Sequence, residues 1–102
     1  MRISVQNNAD LPNKHIRLLK WKIYRIGRKF KHLLYAEVYI SKEGKSPSKY
    51  RAVVKLGVPG NDIMLVHTSE NLARVWRESF KDAQRYLRKH KERVRKELIT
   101  AR

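Results

Sequence analysis

Cysteine is absent from all 102 residues. No disulfide and no cysteine-ligated zinc or iron–sulfur site can form. Long apolar runs are absent as well. The longest reach four residues, as in Ile63-Met64-Leu65-Val66, far short of the ~20 that a membrane-spanning helix needs. No apolar leader core follows Met1-Arg2-Ile3-Ser4-Val5-Gln6, so the expected setting is the cytoplasm of a bacterial-type cell, with an organelle as the alternative. Gly-rich phosphate loops and a Gly-x-Ser-x-Gly elbow are missing, which removes two common catalytic frames. Carboxylates are scarce: nine Asp+Glu stand against 25 Lys+Arg, a formal charge of +16. That excess favours a polyanionic partner, nucleic acid before an anionic membrane. Both helical apolar stripes are needed for a core, so a membrane-surface role is not expected.

Four histidines, His15, His32, His67 and His90, lack metal-ligand spacing. Each is expected at the edge of the core with a backbone partner. The few acids sit among cations, which keeps them ionised and unsuited to general-acid chemistry. The sequence thus predicts no enzyme, no metal and no cofactor. A chain of this length, below ~150 residues, is expected to form a single domain over 1–102.

Periodicity orders the elements. Ile3 and Val5 alternate with polar neighbours as in a short strand. From Leu11 to Phe30 the period turns helical, with His15, Leu19, Ile23, Ile26 and Phe30 on one stripe and Asp10 or Asn13 as the expected cap. Three strands follow, with Ala36, Val38 and Ile40, then Ala52, Val54 and Leu56, then Ile63, Leu65 and His67 on one face. Pro59-Gly60-Asn61-Asp62 marks a tight turn between the last two. A second helix spans about 29 residues from Glu70 to Leu98, with Ser69 as its expected cap. Its stripe is Leu72, Trp76, Phe80, Ala83, Leu87, His90, Val94 and Leu98. The predicted fold class is α+β: one β-α-β-β-β-α domain, two helices on one face of a four-stranded mixed sheet.

The charge is local. Eight Lys+Arg and no acid lie between Lys14 and Lys31, and eleven Lys+Arg between Arg74 and Arg102 against Glu78, Asp82, Glu92 and Glu97. The helical wheel turns Arg25 and Arg28 on the first helix away from the stripe, with Trp21 and Tyr24 beside them. On the second helix it does the same for Arg77, Lys81, Arg85, Arg88 and Lys96. Aromatics among cations suit base stacking next to phosphate contacts, or else the two rings lie along Arg and Lys stems. Packed side by side, the helices would form one basic surface whose binding weakens with salt. The sheet's second face carries Tyr35, Tyr39, Val53, Met64 and Val66, a candidate homodimer or protein-partner surface.

This arrangement resembles the ribosome hibernation promoting factors and the related ribosome-associated inhibitors. The resemblance spans Ile3 to about Leu98. It is carried by Ser4-Val5-Gln6-Asn7-Asn8, the Pro59-Gly60-Asn61-Asp62-Ile63 turn, Thr68-Ser69-Glu70-Asn71-Leu72, and above all 85–94, Arg-Tyr-Leu-Arg-Lys-His-Lys-Glu-Arg-Val. It implies a fold similar to a double-stranded-RNA-binding domain. It further implies occupancy of the decoding channel of the small ribosomal subunit, where the domain would block translation and stabilise idle ribosomes by contacts with ribosomal RNA. Matching basic positions are Lys22, Arg25, Arg85, Lys89, Lys91 and Arg93. The family's mid-helix Asp-Lys pair is reversed here as Lys81-Asp82. By length the likeness is to the short form, in which pairing of ribosomes needs a second small hibernation factor. A general structured-RNA-binding or ribosome-assembly domain, and a protein–protein module using the apolar sheet face, are the alternatives.

Overall fold

The computed structural model describes residues 1–44 and 49–100, with side chains of the last helix through Arg93. The element order is β1 (Arg2–Asn8), α1 (Asn13–Lys29), β2 (Tyr35–Glu43), β3 (Lys49–Val58), β4 (Asn61–Ser69) and α2 (Leu72–Thr100). One mixed sheet runs β1-β2-β3-β4. The β1–β2 pair is parallel, with the helix as its crossover, and the following pairs are antiparallel. The β-α-β-β-β-α reading therefore holds.

Alternation sets the inner face. Ala36, Val38 and Ile40 on β2 and Ala52, Val54 and Leu56 on β3 are all buried. Ala36, Val38, Val54 and Leu56 meet Leu19, Ile23 and Ile26 of α1 and Ala83 and Leu87 of α2 in one core, so both helices cover the same face. A second cluster of Ala9, Ile40, Ala52 and Val75 closes the end near the start of α2. Burying such side chains supplies most of the folding drive, at roughly 25 cal/mol per Å² of apolar surface.

Local signals at the helix ends differ from expectation. Helix α1 starts at Asn13, with Pro12 at the N-cap and no side-chain cap. Asp10 takes φ 57°, a left-handed conformation, and so cannot cap. Asn7 organises this connection instead. Its Oδ1 accepts from the amides of Ala9 and Leu11 at 3.2 and 3.1 Å, and its Nδ2 donates to the Leu11 carbonyl at 2.9 Å. At α2 the cap is Asn71 rather than Ser69. Asn71 Oδ1 accepts from the Arg74 amide at 3.3 Å, and Ser69 Oγ supports the preceding turn by accepting from the Asn71 amide at 3.1 Å. An Asn cap of this kind contributes about 1 kcal/mol.

The buried line of α2 is also rotated from the expected stripe. Val75, Ser79, Ala83 and Leu87 are essentially sealed, while Trp76 and Phe80 are only half-buried. The hydroxyl of Ser79 makes the site polar and hides it from a hydrophobic periodicity. Lys91, Glu92 and Arg93 are all exposed in succession, so the helix has left the sheet by that point. The 57 Å long axis reflects this. Val94 and Leu98, expected on the stripe, lie outside the described side chains.

The hairpin from β3 to β4 turns on Pro59 and Gly60, with Val58 paired to Asn61. Gly60 has φ 82°, the left-handed value a type II turn requires after Pro. Nearby, Gly57 pairs with Tyr35 across β2–β3 and with Asp62 across β3–β4. The Tyr35 ring occupies the space where a Cβ of residue 57 would stand. Its hydroxyl donates to Asp62 Oδ1 at 2.9 Å, so one side chain ties three strands together over a glycine. Gly57→Ala should destabilise the fold by about 1–3 kcal/mol through overpacking. In a Tyr35→Ala background the same change should cost less than about 1 kcal/mol, since the obstructing ring is gone. Chemical denaturation of the four proteins reads this coupling, and additive costs would contradict it.

Candidate nucleic-acid interface

The helices do not pack side by side. Helix α1 lies nearest β1, and α2 lies nearest β4 and β3. At ~4.8 Å per strand, β1 and the middle of the β3–β4 pair are about 12 Å apart. Helices in contact sit roughly 8–10 Å apart. A cleft of about 1240 Å³ therefore opens between them.

One stripe of each helix lines the cleft. From α1 come His15, Leu18, Leu19, Lys22, Arg25, Ile26 and Lys29, spaced by three and four residues. From α2 come Leu72, Ala73, Trp76, Arg77, Phe80, Lys81, Gln84, Arg85 and Arg88. The floor is apolar and the rim is cationic. Lys22, Arg25, Lys29, Arg77, Lys81, Arg85 and Arg88 contribute seven positive charges, and none of the lining residues is a carboxylate. Lys22 Nζ reaches across from α1 to the Phe80 ring of α2, 5.9 Å from its centroid, a contact worth about 0.5–1 kcal/mol at an exposed site.

Glu78 and Asp82 of α2 face elsewhere. His67 on β4 holds Asp82 Oδ2 at 2.9 Å from Nε2 and Glu78 Oε2 at 3.8 Å from Nδ1. Glu78 also accepts from Arg74 at 3.0 Å. Both carboxylates, one turn apart, are drawn toward the sheet edge. Only Asp82 reaches back to a rim cation, Arg85, at 3.7 Å. Thus the cationic flank of the cleft stays largely unneutralised. His67, expected to have a backbone partner, has these carboxylates instead.

Of the sequence-based candidates, Lys22, Arg25, Lys81, Arg85 and Arg88 come together on the rim. Arg28, Lys89, Lys91 and Arg93 are exposed but do not line the cleft. Lys96 lies outside the described side chains. Trp21 and Tyr24 are each 53% exposed and stand outside the cleft, and Trp21 already carries the Arg25 guanidinium 5.0 Å from its ring. The aromatics that face the cleft, Trp76 and Phe80, also pack against the core, as their periodicity predicts; Lys29 and His15 line the cleft without being among the sequence candidates. His15 is exposed on the cleft wall rather than at the core edge. The three-and-four spacing of 15, 18, 22, 25 and 29 was the signal that marked this wall.

On the sheet's second face, Tyr39, Val53 and Val66 form one rung across three strands. Met64, 63% exposed, pairs with Lys55, which in turn pairs with Glu37, so charge interrupts the patch on that side. Tyr39 donates to Glu37 Oε2 at 3.1 Å, and this bond raises its phenol pKa. Tyr35 is raised in the same way by its bond to Asp62.

Among the described residues, no group of three or more His, Cys, Asp or Glu side chains is placed to hold a metal ion. No described helix is long and apolar enough to cross a membrane. His32 and His90 stack at 5.3 Å with an interplanar angle of 4°, and His90 Nε2 lies 3.2 Å from the Pro59 carbonyl. Phe30 meets His32 edge-on at 6.1 Å. Desolvation lowers the His32 pKa from its ordinary 6.5, with His90 and Lys91 adding to the effect and the Leu87 backbone opposing it.

Neither a family model nor a curated protein sequence matches this chain. Solved structures do. It is similar to a ribosomal subunit interface protein from Coxiella burnetii, with a TM-score of 0.74 at 16% identity over 90% of this chain and 99% of that one. It is also similar to the N-terminal domain of Protein Y from Thermus thermophilus, with a TM-score of 0.68 at 17% identity over 87% of this chain and 94% of that one. At these identities the likeness establishes a shared fold.

The histidine stack generates a pH dependence. Because the folded chain holds His32 less basic than the unfolded chain does, the unfolded chain takes up more protons as pH falls through about 6.5. The contribution of neutral His32 is fully present above that value and is lost below it. Melting temperature should drop between pH 7.5 and 5.5, and His32→Phe should drop less over the same range. Parallel curves for the two proteins would contradict this.

Proposed function

We propose that this chain is a ribosome-binding inhibitor of the hibernation-factor type, which occupies the decoding channel of the small subunit and keeps idle ribosomes out of translation. The observation that carries the reading is the cleft rim: seven cations from two helices with no carboxylate among the lining residues. Such a surface recognises closely spaced phosphates, and each neutralised phosphate releases counterions. The shared fold with a ribosomal subunit interface protein and with Protein Y directs the choice of polyanion to ribosomal RNA. Inhibition is steric: the domain fills space that messenger and transfer RNA would use, and no bond in any substrate changes. Its place of work is then the cytoplasm.

Co-sedimentation tests this directly. The protein should pellet with vacant ribosomes at near-physiological salt and be released when messenger and transfer RNA are added. Lys81→Glu combined with Arg85→Glu should weaken ribosome binding by about tenfold or more, each lost phosphate contact also reducing the salt slope by about one. Circular dichroism should show the fold retained. Equal affinity for arbitrary duplex RNA would favour a general RNA-binding domain, and no affinity for either RNA or ribosomes would overturn the reading.

A further inference from the structure

We infer that the floor of the cleft seats unpaired nucleobases, with Trp76 and Phe80 as the stacking surface and the rim cations on the flanking phosphates. This rests on the RNA-binding reading above and adds what enters the cleft. Phosphate recognition alone needs only a convex basic surface. Here the cations surround a concave, apolar-floored space instead. Its volume of about 1240 Å³ exceeds the roughly 300–1,000 Å³ typical of small-molecule pockets and suits a short run of nucleotides. Trp76 and Phe80 lie one turn apart with ring planes 28° from parallel and centroids 6.3 Å apart. Both are half-buried, so each leaves aromatic surface open to the cleft. Leu18, 51% exposed, extends the apolar floor on the opposite wall.

The Lys22 ammonium over Phe80 occupies the position that a base would take. An incoming base stacks on the ring, and Lys22 turns to the phosphate beside it. Arg25 and Arg85 each lie near an aromatic ring outside the cleft, 5.0 Å from the Trp21 centroid and 5.4 Å from the Tyr86 centroid. Unpaired bases splayed onto aromatic rings and Arg planes are the usual way proteins read RNA loops. A base-paired helix presents only its phosphates and groove edges to such a site and cannot reach the floor.

The experiment uses the two tryptophans of the chain. Trp21→Phe leaves Trp76 as the single reporter. Oligoadenylate, an abasic strand of equal length and a duplex RNA of equal length are titrated in the same buffer. Oligoadenylate should quench Trp76 and bind about tenfold tighter than the abasic strand, the scale of one or two base stacks. The abasic strand should bind without quenching. Phe80→Leu, which retains apolar bulk, should narrow that gap to less than about threefold. Equal affinity for the abasic strand and oligoadenylate, measured without any substitution at the floor, would overturn the inference. So would an acidic peptide that quenches Trp76 as strongly as oligoadenylate, a result that would point to a protein occupant. Ribosome co-sedimentation with no base dependence fails this inference alone. Base-dependent quenching without ribosome binding fails the ribosomal reading alone.

Discussion

Everything specific to this molecule follows from a mismatch of widths. The two lines of the sheet that hold the helices, β1 and the middle of the β3–β4 pair, stand about 12 Å apart at ~4.8 Å per strand, while helices in contact sit roughly 8–10 Å apart. Helix α1 is held near β1 because it forms the crossover from β1 to β2. Helix α2 is held near β3 and β4 because Val75, Ser79, Ala83 and Leu87 seal against them. Neither can move inward without exposing its buried line. The space left between them must be filled by side chains, and Trp76 and Phe80 of α2 with Leu18 and Lys22 of α1 line it. The cleft thus follows from anchoring one helix over β1 and the other over β3 and β4.

Electrostatics then gives the cleft its sign. Helix α2 has three distinct sides. Its buried line faces the sheet, Glu78 and Asp82 face His67 on β4, and Arg77, Lys81, Arg85 and Arg88 face the cleft. Had the two acids stood on the cleft side, i,i+4 pairing would have spent several of those cations internally. His67 matters for this sorting because it gives both carboxylates a partner at the sheet edge. The +16 of the whole chain is therefore less informative than the absence of carboxylates from one wall.

Much of the fold was legible in the sequence. Strand alternation identified the inner faces of β2 and β3 residue by residue, because a period of two leaves no ambiguity about side. The helices were placed correctly but their rotation was read imperfectly. Ser79 interrupts the apolar pattern of α2, so Trp76 and Phe80, larger and more hydrophobic, drew the stripe toward themselves and away from Val75. Caps were misread for a related reason: Ser69 and Asn71 can both cap, and backbone geometry decides between them. Asp10 looked like a cap until its left-handed φ of 57° placed it in a turn organised by Asn7. The rim cations on the two helices were legible as basic and outward. That five of the ten candidates meet across a cleft was not, because periodicity gives the phase of each helix about its own axis and says nothing of the distance between two axes.

On the proposed function, the cleft, and not the overall positive charge, binds the ribosome. The salt dependence of binding to vacant ribosomes separates the two. Two triple variants remove the same charge: Lys22→Gln, Lys81→Gln and Arg85→Gln on the rim, and Lys89→Gln, Lys91→Gln and Arg93→Gln on the exposed stretch beyond it. The slope of log K against log salt should fall by about two to three for the rim variant and by less than about one for the other. Equal losses in the two variants, or a larger loss in the second, would contradict the account.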